Sequence, residues 1–163
     1  MKTPASIVRV PIHAVVGMLP VGLWIFASLC DFMFLYDGAT TWALSAFYAY
    51  AVGTVVAVAA ILPGFIDHFA LRGRAARRLG FFHMLSGLLV TALMAISVAL
   101  RWFVSPESTL AIFVGGTGLV ALLVSTALAV YMVHGLAIGV STQDEEAVDE
   151  VPTTAHRYRR ARA

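Results

Sequence analysis

Two histidines open two apolar runs in the same way. His13 follows Arg9 by four residues and His83 follows Arg78 by five, and each has a glycine four positions further on, Gly17 and Gly87. Eighteen residues after each histidine stands a charge, Asp31 in the first run and Arg101 in the second. Eighteen residues make five turns of an α-helix, so histidine, glycine and charge line one side of each helix. Imidazoles at equal depth on two helices, with glycine one turn inward, are the parts from which a membrane bundle ligates haem b. A carboxylate and a guanidinium at equal depth on the same helices are the parts of a buried ion pair.

The elements that carry these residues follow from composition. The chain has 163 residues, of which 60% are hydrophobic and 12% charged, with mean hydropathy +0.87. A soluble domain carries about twice that share of charge, and an apolar stretch of about 18 residues or more is long enough to cross a bilayer. Four such stretches are present, which gives an all-α, four-helix transmembrane bundle in up-down-up-down order. The expected helices are about 10–36, 42–66, 81–101 and 109–140, one domain over 1–140. Pro20 kinks the first, Pro63-Gly64 breaks the second, and Ser108 caps the fourth. Residues 67–80 read as a short basic loop. Residues 141–163, with an acidic block before a basic end and no apolar period, read as a disordered cytoplasmic tail. The apolar run after Lys2 and Arg9 exceeds a signal-peptide core and lacks a cleavage pattern, so it reads as a retained helix. Cys30 is the sole cysteine and reads as a small apolar side chain.

Orientation comes from lysine and arginine. With four spans, the N-terminus, the 67–80 segment and the tail share one side and hold ten of the eleven Lys and Arg residues, Arg101 being the exception. The positive-inside rule makes that side, with both termini, cytoplasmic. Tyr36, Trp42, Trp102 and Phe103 supply an aromatic belt at the other interface.

Four histidines then gather toward the basic side: His13, His68, His83 and His134. The pattern H-x-x-x-G followed by a closing histidine occurs twice, a weak internal repeat. Three readings stay open. The first is haem b held through His83 and either His13 or His134, with Gly17 and Gly87 giving clearance, in an electron-transfer or redox-accessory subunit. The second is a cofactor-free structural or accessory subunit whose histidines bond neighbouring helices. The third is a metal-binding or transport protein using His13, His83, His134 and Asp67. Expected partners are the lipid bilayer, a redox protein or larger membrane complex, and further copies of the chain, without nucleic acid. No P-loop, dinucleotide fingerprint, nucleophile elbow or HExxH occurs, and short loops leave no room for an ordinary extramembrane active site.

From Pro11 to Val140 the residues resemble a bacterial membrane family known as domain of unknown function 2231. His13 with Leu19-Pro20-Val21-Gly22-Leu23-Trp24, then Asp31, Pro63-Gly64-Phe65-Ile66-Asp67, His83 and His134-Gly135 carry the resemblance. Ala14 and Ser86 depart from it, standing where proline and asparagine are usual. The resemblance implies a four-helix fold in the bacterial inner membrane. Relatives fused to Rieske-type domains imply a redox setting, by analogy alone.

Overall fold

The computed structural model describes residues 6–7, 10–71 and 73–136. The 141–163 tail and the last residues expected in the fourth helix lie outside them. The four helices are α1 (Ile12–Asp37), α2 (Thr40–Phe69), α3 (Arg74–Phe103) and α4 (Thr109–Leu136). Before them, Ser6–Ile7 (β1) pairs antiparallel with Val10–Pro11 (β2), a bridge that no apolar pattern in the sequence announces.

Each helix is long and apolar enough to cross a membrane. The side chains agree with a lipid surround: Met18, Phe32, Val55, Leu62, Phe113 and Val120 point outward, while the interior is built largely of small residues. Ala27, Ala43, Ala46 and Ala111 are fully buried. Lipid tails are as apolar as leucine, so close approach of backbones, rather than escape from water, holds such a bundle together.

α1 packs mainly on α2 and α3 on α4; the α2–α3 seam is next and the α1–α4 seam is the lightest of the four, and α1 and α3, which touch less still, oppose each other across the diagonal. The α1–α2 turn is fixed by Gly38 at φ 75° and by Asp37, whose carboxylate accepts from the Ala39 N–H at 2.9 Å and the Trp42 indole N–H at 3.0 Å. Ser108 caps α4 by accepting from the Ala111 N–H at 3.3 Å.

Two element boundaries differ from the sequence expectation. α2 runs through Pro63 to Phe69 instead of breaking there. Proline removes its own N–H from the ladder, which costs the Ala59 carbonyl its helical donor, a loss that bundles of this kind tolerate; one residue on, the Ala60 carbonyl accepts from the His13 ring. α3 begins at Arg74, so most of the basic segment is helix and the link is only residues 70–73. Ala75, Ala76 and the arginines are good helix formers, and Gly73 at φ 87° makes the turn. At 30 residues each, α2 and α3 are about 45 Å long, so they extend past a hydrocarbon core of about 30 Å.

Candidate functional site

The two opening histidines meet. His13 and His83 have ring centroids 6.3 Å apart at an interplanar angle of 74°. The His13 Nδ1 lies 2.9 Å from the carbonyl oxygen of Ala60 on α2, and the His83 Nδ1 lies 3.1 Å from that of Ser125 on α4, with Ser125 Oγ at 3.4 Å. A carbonyl can only accept, so in both rings Nδ1 carries the hydrogen. In a neutral ring that tautomer leaves Nε2 with its lone pair, the arrangement by which outer partners orient histidine ligands.

The local sequence explains how His13 is seated. A Cβ at Gly64 would fall 2.8 Å from the His13 ring, so the glycine after Pro63 is what admits the imidazole against α2. Gly17 and Gly87 behave differently, since a Cβ on either meets nothing within 4 Å. Neither is pressed by a neighbouring side chain.

The internal repeat is a structural one. Positions seventy apart on α1 and α3 have the same surroundings: His13 and His83 bond to α2 and α4, and Trp24 and Met94 are both buried. On α2 and α4 the offset is sixty-five. Ala60 and Ser125 are the two acceptors, and Gly53 and Gly118 are pressed by Trp24 and Met94 respectively. The bundle is thus two helical hairpins related by an approximate two-fold axis along its length.

At the other end of that axis, Asp31 and Arg101 form the expected pair. One guanidinium nitrogen, Nη2, donates to both carboxylate oxygens at 2.7 Å, with the side chains 6% and 0% exposed. Arg101 Nη1 donates to the Pro106 carbonyl at 2.9 Å, and its guanidinium carbon lies 5.2 Å from the centre of the Tyr50 ring. Tyr50 Oη and Ser28 Oγ are 3.0 Å apart, and Ser97 Oγ donates to the Ala111 carbonyl at 2.8 Å. Gly115 lies where a Cβ would be 2.7 Å from the Tyr50 hydroxyl. The network joins the two hairpins with its buried donors and acceptors matched, which is what a structural clasp requires.

The remaining candidates lie elsewhere. α4 passes the level of His83 at Ser125, so His134, nine residues on, is about 13 Å further along the axis; it is exposed in the last turn of α4 and does not join the pair. His68 and Asp67 sit in the last turns of α2, and the His68 Nδ1 is buried without a hydrogen-bond partner. Among the described residues no group of three or more His, Cys, Asp and Glu side chains is disposed to hold a metal ion, so His13, His83, His134 and Asp67 do not form a cluster. Gly115 and Gly118 admit neighbouring side chains, whereas Gly116 faces open space. Trp24 packs in the core as expected, with its indole N–H unpartnered. Sequence reasoning missed the acceptors Ala60 and Ser125 and the roles of Tyr50, Ser28 and Ser97. Only Pro63-Gly64 hinted at the first of these.

No curated protein and no solved structure matches the chain. A family model described as Predicted membrane protein (DUF2231) matches residues 9–151, most of the sequence, and the chain belongs to that family.

Proposed function

We propose that this membrane protein holds haem b between His13 and His83 and serves as an electron-transfer or redox-accessory component of the inner membrane, its basic end cytoplasmic. The observation that carries the reading is the pair of imidazoles on diagonally opposed helices, each tied through Nδ1 to a backbone carbonyl and each left with Nε2 free to ligate. The two ring centres are 6.3 Å apart, so His13 and His83 are close enough that both would hold one haem iron. Gly17 and Gly87, one turn from the two rings, carry no side chain that would block a flat macrocycle there. Bound there, haem would supply reversible one-electron chemistry. The chain's part is to fix the ring orientations through Ala60 and Ser125, to raise the basicity of the ligating nitrogens by those hydrogen bonds, and to keep water out with the surrounding apolar helices.

The edge-to-face angle of 74° favours a second reading, in which the rings pack on each other with no cofactor. The two are separated by purifying the full chain from cells with ample haem supply and recording a reduced-minus-oxidised spectrum. A haem signal is expected in the wild type and in His68→Ala, and none in His83→Ala. A colourless wild type, or a signal that survives His83→Ala and vanishes in His68→Ala, overturns the assignment.

A further inference from the structure

The start of α3 carries a stripe that the haem reading does not use. Arg74, Arg78, Phe81, Phe82 and Leu85 recur at helical spacing, and all five are exposed, as is Arg77 beside them. Among the described residues no other helix covers this stripe. Its upper part is cationic and its lower part apolar, with the Arg78 guanidinium carbon 5.9 Å from the centre of the Phe82 ring. Arg77 is held in place by its Nε, which donates to the Leu71 carbonyl at 3.0 Å, leaving the rest of its guanidinium outward. The other helix-borne arginine, Arg101, is sequestered in the core.

We infer that this stripe is a binding site for an anionic glycerophospholipid, its phosphodiester on Arg74, Arg77 and Arg78 and its acyl chains along Phe81, Phe82 and Leu85. The charge pattern selects this occupant. An acidic soluble protein would satisfy the arginines but not a phenylalanine and leucine strip continuous with them, and a neutral lipid would satisfy only the strip. α3 is long enough to bring both parts to the right depth: the arginines occupy the turns that extend past the hydrocarbon core, and the aromatic residues begin where it starts. Cations at that level attract anionic headgroups.

The test is native mass spectrometry of the full chain, released from detergent in the presence of equal amounts of phosphatidylglycerol and phosphatidylcholine. The wild type is expected to retain phosphatidylglycerol at least tenfold over phosphatidylcholine, and Arg74→Gln/Arg77→Gln/Arg78→Gln to bring the ratio close to one. Arg74→Gln alone, a change at an exposed side chain with no hydrogen bond to the described residues, lowers the ratio severalfold and serves if the triple variant does not fold. Phe82→Ala lowers retention of both lipids. Removing the same number of charges from the tail, with Arg157→Gln/Arg159→Gln/Arg160→Gln, leaves the ratio unchanged. Equal retention of the two lipids by the wild type, an equal loss of preference in the tail variant, or displacement of the lipid by millimolar inorganic phosphate overturns the proposal.

Discussion

Replacing Arg101 by methionine isolates what the buried clasp contributes. Methionine keeps the length of the apolar stem and removes the guanidinium, so Asp31 loses both 2.7 Å hydrogen bonds at once. Hydrogen bonds to a charged group contribute about 1.5–3 kcal/mol each, and breaking a buried ion pair by removing one partner costs about 3–5 kcal/mol; the two routes agree on a loss near 4 kcal/mol. Removing both partners, in Asp31→Leu/Arg101→Met, strands no charge, and a packed apolar pair in place of a buried ion pair is often neutral or better. The double variant should therefore recover most of the loss and sit within about 1.5 kcal/mol of the wild type. The assay is unfolding in mixed micelles with rising dodecyl sulfate, in a Trp42→Phe/Trp102→Phe background, followed by the fluorescence of Trp24, which is 3% exposed in the folded chain. A loss under about 1 kcal/mol in Arg101→Met, or a double variant that loses as much as the sum of its singles, refutes the clasp.

Two further expectations follow from the packing. Gly53→Ala forces a methyl to within 2.7 Å of the Trp24 indole nitrogen, an overpacking that costs about 1–3 kcal/mol; Gly118→Ala, whose methyl meets the flexible end of Met94 at 2.9 Å, costs less, and Gly17→Ala, which meets nothing, is neutral or slightly stabilising by the same unfolding assay. Tyr50→Phe deletes a hydroxyl paired with Ser28 Oγ at 3.0 Å, and should cost about 1 kcal/mol while leaving the Asp31–Arg101 pair intact; a loss as large as that of Arg101→Met would show that the hydroxyl, and not the ion pair alone, fastens the clasp.

The sequence made the four apolar runs plain, because a lipid-spanning helix must be apolar along its whole length and so writes itself as an uninterrupted string. The pairing of Asp31 with Arg101, and of His13 with His83, was legible because each pair occupies matching positions on matching helices. What the histidines bond to was not legible. A backbone carbonyl has no residue type, so nothing in the letters Ala60 or Ser125 marks them as acceptors. That His134 stands apart from the pair was not legible for a related reason: α4 carries it about 13 Å past the level of His83, and the letters do not say at which turn one helix meets another. Pro63 read as a breaker because propensity is local, whereas one missing N–H is a small loss against the packing of α2 on α1 and α3.

The division of the clasp between two hairpins also bears on how the chain is made. Asp31 belongs to the first hairpin and Arg101 to the second, seventy residues later. At a synthesis rate of about 5–20 residues per second, the carboxylate waits roughly 4–14 s for its partner to be translated. Deep in the bilayer that wait would oppose insertion of α1. Placed six residues from the end of α1, Asp31 lies close to the headgroup region and can stay wet until the second hairpin arrives. The position of the charge near the membrane boundary thereby lets the first hairpin enter alone, and arrival of Arg101 withdraws the carboxylate from water and fastens the two halves in a fixed order of assembly.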